Sequence, residues 1–106
     1  MFALSVGKTG KVRFNLLAKN KRVVLTSEAY ESRSAALRGI ASVKENAEKR
    51  ERFEVRTAKN GKKYFVLIAK NGEIIGQSQM YAGGGVYAGI RSVMENAPKS
   101  DVVDAD

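Results

Sequence analysis

The chain contains no cysteine and no histidine, and a single proline, among 106 residues. The first two absences remove disulfides, thiolate nucleophiles, imidazole bases and the usual zinc ligands together. The side chains left for catalysis are serine, tyrosine, lysine and carboxylates, and no spacing of them forms a dyad or a metal cage. The sequence therefore argues against an enzyme and nominates no catalytic, metal-binding or cofactor-binding residue. Long hydrophobic runs are missing as well. The apolar opening Met1 to Val6 is shorter than the roughly 7 to 15 residues of a signal-peptide core, and no run approaches the ~20 residues of a membrane span. The expectation is a cytoplasmic protein with no membrane partner.

The composition that remains is that of a folded chain, 43% hydrophobic and 28% charged, far from a disordered balance. Its length suits one domain over residues 1–106, since two independent cores would leave each half marginal. Nineteen Lys and Arg against 11 Asp and Glu give a formal charge of +8, which favours anionic partners.

The chain is also a duplication. Sliding it by 51 positions, Phe2 onto Phe53, aligns Lys8 with Lys59, Gly10 with Gly61, Phe14 with Phe65 and Leu16 with Leu67. The same register carries Ala18-Lys19-Asn20 onto Ala69-Lys70-Asn71, Ser27 onto Ser78 and Tyr30 onto Tyr81. After a one-residue deletion the shift becomes 50, and Gly39-Ile40, Ser42-Val43 and Glu45-Asn46-Ala47 fall on Gly89-Ile90, Ser92-Val93 and Glu95-Asn96-Ala97. The repeats run over 2–50 and 53–100, followed by an acidic tail at 101–106 that could supply a short exchanged strand. A module of about fifty residues exposes too much surface to be stable alone, so two copies are expected to bury one face together.

Within each copy the apolar residues first alternate. Phe2-Ala3-Leu4-Ser5-Val6 and Phe53-Glu54-Val55-Arg56 read as first strands. Second strands follow at about 11–19 and 62–70, with Phe14, Leu16 and Ala18, or Phe65, Leu67 and Ala69, on the core face. Third strands follow at about 22–28 and 73–80. Gly7 to Gly10 and Ala58 to Gly61 are hairpin turns; Asn71-Gly72 is a two-residue hairpin signal, and Asn20-Lys21 is its weaker twin. The period then changes. Ala36, Leu37, Ile40, Val43 and Ala47 form one helical stripe behind a cap at Ser32 or Ser34, and Val86, Ile90, Val93, Met94 and Ala97 form the second, stopped by Pro98. Gly39 and Gly89 lie inside these helices, where glycine costs about 1 kcal/mol relative to alanine, so a close helix-to-sheet approach is expected there.

The pattern Phe-x-Leu-x-Ala-x-Asn, Ser-x-x-Tyr, Gly-Ile-x-Ser-Val-x-x-Asn, present over Phe14 to Asn46 and again over Phe65 to Asn96, resembles the duplicated YegP-like family along nearly the whole chain. The resemblance implies an α+β fold of two tandem β3-α(β) repeats. They would share one antiparallel sheet with both helices on one face, related by a pseudo-twofold axis. It also implies that the strand after each helix is exchanged into the other half, here around Arg52 to Thr57 and Val102-Val103. It carries no activity and no site residues. Lys21 departs from the glycine expected after Asn20, and Gly83-Gly84-Gly85 departs from the polar helix start kept in the first repeat as Ser32-Arg33-Ser34.

Two nucleotide-binding motifs fail on context. Gly7-Lys8-Thr9 ends like a phosphate loop but lacks the earlier glycine and runs into a strand. Gly83-x-Gly85-x-x-Ala88 lacks a parallel βαβ unit and an acidic ribose partner. Gly83, Gly84 and Gly85 retain the weaker reading of an anion site at a helix start, against the plain one of a flexible entry. More informative is the face of the second strands opposite the core: Arg13, Asn15 and Leu17 in one repeat, Tyr64, Val66 and Ile68 in the other. With Ile75, the latter three form an apolar patch flanked by Lys62, Lys63 and Lys70, open if both helices cover the other face and hidden if a loop or the tail covers it. The lysines also read as protection of exposed strand edges. The leading expectation is a non-enzymatic module, a monomer with a homodimer as the alternative, that contacts a protein partner or a second copy through Arg13, Leu17, Lys62, Lys63, Tyr64, Val66, Ile68 and Lys70. The runner-up is single-stranded nucleic acid, with Tyr64 stacking on a base.

Overall fold

In the computed structural model, which describes residues 1–104, the change of period from two to 3.6 yields two strand meanders, each followed by a helix. The elements are β1 (Phe2–Val6), β2 (Val12–Leu17), β3 (Val23–Thr26), α1 (Arg33–Asn46), β4 (Phe53–Thr57), β5 (Lys63–Ile68), β6 (Ile74–Gln77), α2 (Gly85–Asn96) and β7 (Val102–Asp104). Short 3-10 turns at Arg50–Arg52 and Ala97–Lys99 follow the helices. Positions 105 and 106 of the expected tail lie outside the described residues.

The strands form one sheet in the order β4-β5-β6-β3-β2-β1-β7. The two meanders meet at its centre, where Thr26 of β3 pairs with Gln77 of β6. These two residues hold the same place in their repeats, so the pseudo-twofold axis passes between them. Phe2, Leu4, Phe14, Leu16 and Leu25 of one repeat join Phe53, Phe65, Leu67 and Ile75 of the other in a single core cluster with Ile40, Val43, Ile90 and Val93 of the helices. The interior is thus common to both halves.

The sheet departs from the expected all-antiparallel pattern at one edge. β7 pairs with β1 in parallel, Phe2 opposite Val102 and Leu4 opposite Asp104. The reason is where α2 delivers the chain. The Met1 ammonium donates to Ser100 Oγ at 3.2 Å and the Phe2 amide to the Asp101 carbonyl at 2.7 Å, so β1 and β7 set out from the same end. The exchange is also one-sided. β7 crosses into the first half, whereas Phe53–Thr57 stays in its own half as β4 and, among the described residues, pairs only with β5.

All four hairpin loops share one geometry, and it is not the two-residue turn that Asn71-Gly72 signals. The amides of Gly10, Lys21, Gly61 and Gly72 donate to the carbonyls of Gly7, Ala18, Ala58 and Ala69 at 2.9 to 3.0 Å. The same four residues have φ of 84°, 67°, 83° and 89°. This is a turn followed by a left-handed residue, the three-residue hairpin loop. Asn20, Asn60 and Asn71 instead use their Oδ1 to accept from the amides two residues on, at 2.9 to 3.0 Å, which fixes the bend and lets Lys21 hold a position that favours glycine.

Ser32 Oγ caps α1 by accepting from the Ala35 amide at 3.1 Å. The repeated Ser-x-x-x-Asn closes both helices from within, with Asn46 Nδ2 donating to the Ser42 carbonyl at 2.8 Å and Asn96 Nδ2 to that of Ser92 at 2.7 Å. The helical glycines admit a ring rather than a strand backbone. Tyr30 stacks on Phe14 with ring centroids 6.0 Å apart, Tyr81 stacks on Phe65 at 6.5 Å, and each phenol end lies where a Cβ on Gly39 or Gly89 would project.

Candidate functional site

Because side chains alternate across a strand, the residues opposite the core share the outer face of the sheet. The register sets them in a row: Glu54, Val66, Gln77, Thr26, Asn15 and Ala3. Glu54, Gln77, Thr26 and the neighbouring Arg13 are exposed. Both helices lie on the other side, and among the described residues no element covers this face.

Only one residue pair bridges β3 and β6, so the two strands part on either side of it and leave a groove of about 360 Å³ on the axis. Its walls are Arg13, Val23, Thr26, Ser27, Glu28, Gln77, Ser78 and Gln79. The serines are committed to the fold. Ser27 Oγ accepts from the Phe14 amide at 2.9 Å and donates to the Glu28 carbonyl at 2.8 Å, and Ser78 does the same with Phe65 and Gln79. Thr26 Oγ1 is engaged by Asn15 at 2.9 Å. Among the described residues no hydrogen bond engages the side chains of Arg13, Glu28, Gln77 and Gln79.

Beside the groove stand two apolar pairs related by the axis, Leu17 opposite Val23 and Ile68 opposite Ile74. The expected partner Ile75 is instead on the core face, buried in the common cluster. An irregularity in the β5–β6 register after Leu67 sets Ile74 opposite Ile68. Val66 is outward by parity yet only 1% exposed, enclosed by its neighbours on the same face, so it forms floor rather than contact surface. Tyr64 and Ile68 are half-buried and present part of their surface. Arg56, opposite Tyr64, donates to Glu54 Oε1 at 3.0 Å; this carboxylate, with a smaller share from the Tyr64 hydroxyl, raises the guanidinium above its ordinary value.

The lysines of the predicted patch do not converge. Lys63 lies on the helix side of the sheet, where its Nζ donates to Thr57 Oγ1 at 3.0 Å, and Lys62 and Lys70 sit in loops at opposite ends. The cationic hairpin loops are divided between the two ends of the sheet. Since β5 runs parallel to β3, the β2–β3 and β4–β5 loops share one end of the sheet, and Lys19, Lys21, Arg22, Lys59, Lys62 and Lys63 gather there without a carboxylate in either loop. At the other end Glu73 accompanies Lys70, and Lys11 pairs with Glu31 at 3.4 Å. Gly83, at φ 61°, and Gly84 are exposed before α2, where Gly84 offers no side-chain cap.

Against known proteins, a family profile described as a domain of unknown function, DUF1508, matches residues 8–54 and again 58–104. The chain belongs to the DUF1508 family. A relative, a UPF0339 protein of Pasteurella multocida, is 50% identical over 97% of this chain and 91% of its own length. The UPF0339 protein YegP of Escherichia coli is 47% identical, over 97% and 94%. The solution structure of the E. coli protein, described as of unknown function, superposes with a TM-score of 0.92 over 98% of this chain and 90% of that one, at 47% identity. That of a UPF0339 protein of Shewanella oneidensis does so with 0.91 over 97% and 88%, at 42% identity. The fold is therefore shared with these two structures along nearly the entire chain, and the family profile matches the chain as a tandem repeat. No helix among the described residues is long and apolar enough to cross a membrane.

Proposed function

We propose that this chain is a non-enzymatic binding module that holds a segment of a protein partner on the outer face of its sheet. The observation that carries the reading is the groove on the pseudo-twofold axis of an uncovered face, polar along its walls and flanked by Leu17, Tyr64, Ile68 and Ile74. Gln77, Gln79, Arg13 and Glu28 supply both donors and acceptors, the complement of a peptide backbone with polar side chains. Charge on this face is nearly balanced, Arg13 beside Glu28 and Arg56 bonded to Glu54, which favours protein over a polyphosphate there. The test is retention of a partner from nuclease-treated native lysate by the intact chain, by Tyr64→Ala combined with Ile68→Ala, and by Glu45→Ala at an exposed position of α1. A partner kept by the first and third and lost by the second is the expected result. Equal retention by all three overturns the reading.

The cationic end of the sheet favours a second reading, single-stranded nucleic acid, because five Lys and Arg of two loops, with Lys63 at the start of β5, lie at the end nearest Tyr64. The loop tips are three strand spacings apart, roughly 14 Å, within reach of a few nucleotides. Affinity for an oligonucleotide should then fall steeply with salt and drop with Lys21→Glu and Lys62→Glu; a flat salt response removes it.

A further inference from the structure

The two repeats finish their edges differently. In β1 the alternate backbone groups of Phe2 and Leu4 point away from β2 and are met by β7. The outward-directed positions of β4 are Phe53 and Val55, their equivalents, and Thr57. Ala58 and Lys62 form the hydrogen-bonded pair that closes the β4–β5 loop, so these three alternate positions direct their N–H and C=O groups away from β5. The adjoining 3-10 turn satisfies Phe53: its amide donates to the Arg50 carbonyl, and Arg50 Nη1 donates to its carbonyl at 3.3 Å. Among the described residues no strand meets Val55 and Thr57. The apolar seal differs as well. Beneath β7, Leu4 is 3% exposed, while its counterpart Val55 is only half-buried.

A cavity of about 180 Å³ opens beside this edge, lined by Arg50, Tyr87, Ile90, Arg91 and Met94. Arg50 links the two features, since the same guanidinium reaches the Phe53 carbonyl. The lining combines an apolar floor with two guanidinium groups and no carboxylate. Just before β4, the Nε of Arg52 is buried without a hydrogen-bond partner among the described residues.

We infer that the β4 edge is a docking site for an extended acidic segment of a partner protein, which adds as an eighth strand parallel to β4 and seats an apolar side chain near Val55 and a carboxylate near Arg50 and Arg91. The chain shows what fits such a slot. Asp101-Val102-Val103-Asp104 covers the matching edge of β1 in parallel, with Val102 packed on the core and Asp104 paired with Arg33 at 3.3 Å. Added strands of this kind gain affinity from main-chain hydrogen bonds and selectivity from pockets for alternate side chains. Val55 and Thr57 are left unpaired on an edge with neither proline nor bulge, the kind of edge that templates pairing with another chain. This surface is separate from the outer face, and either reading stands without the other.

The probe is a synthetic peptide with the sequence of residues 100–106, titrated into the full chain and followed by amide chemical shifts. Saturable shifts at Val55, Thr57, Tyr87 and Arg91 are expected. Arg91→Glu, a change at an exposed position, should weaken binding by about tenfold, as should replacing both aspartates nearest the valines by asparagine in the peptide. Val55→Pro, which removes an outward N–H and no internal bond, should abolish it. Shifts confined to Leu4 and its neighbours would mean that the peptide only exchanges with β7, and would overturn the assignment. Absence of shifts, or indifference to Arg91→Glu, would do the same.

Discussion

Replacing Gly89 by alanine sets two effects of opposite sign against each other. In an exposed helix the change would stabilise the chain by about 1 kcal/mol, because glycine loses more backbone freedom on folding. Here the new Cβ would stand 2.5 Å from the Tyr81 hydroxyl, 2.8 Å from its Cζ and 3.1 Å from Phe65 Cε2. The tyrosine ring cannot swing aside freely, since its face lies on Phe65 at an interplanar angle of 12°. Overpacking of this kind costs about 1 to 3 kcal/mol, and with two contacts under 3 Å the upper half of that range applies. The net expectation is a loss of about 1 to 2 kcal/mol, seen in urea unfolding as a midpoint lower by roughly 0.5 to 1 M for a slope near 2 kcal/mol/M. The decisive measurement repeats the substitution in a Tyr81→Ala background, where both contacts under 3 Å are gone. There Gly89→Ala should raise stability by up to about 1 kcal/mol. A stabilising effect in the intact chain, or the same change in both backgrounds, would refute the steric account.

Ser27→Ala and Ser78→Ala should each destabilise by about 1 to 3 kcal/mol in the same assay, because each strands the buried amide of Phe14 or Phe65. The symmetry predicts similar values, and a loss at one site alone would show that the repeats are not energetically equivalent. Tyr30 has its pKa raised from the ordinary 10.0, first by burial and then by Glu28 and Glu73. The folded state therefore keeps the proton longer than the unfolded state, so stability is undiminished below about pH 10 and falls as pH rises through the raised folded value. Tyr30→Phe should remove that part of the alkaline slope in unfolding midpoints, and an unchanged slope would count against it.

The legible part of this molecule is what local periodicity encodes. The strand alternation around Phe14 and Phe65 and the helical stripes through Ile40 and Ile90 follow from residues within a few positions of one another and occur in both repeats, while the Ser32 cap is equally local but belongs to the first repeat alone. Where two geometries share a signal, the local pattern does not choose between them. Asn71-Gly72 suits a two-residue turn, but the asparagine side chain bonding two residues ahead selects the longer loop. Ile75 looked outward by simple alternation until the shift in the β5–β6 register turned Ile74 to that face instead.

From its residues alone the chain determined the repeat, the identity of its elements, the apolar faces and the scarcity of reactive groups. Only the tertiary structure decided that β7 lies parallel on β1 while β4 is left open, that Val66 is hidden, and that six cations from separate repeats meet at one end of the sheet. These depend on which edges pair and in which direction the chain re-enters the sheet. Such choices are set by contacts between residues far apart in the chain, and periodicity over a few neighbours carries no record of them.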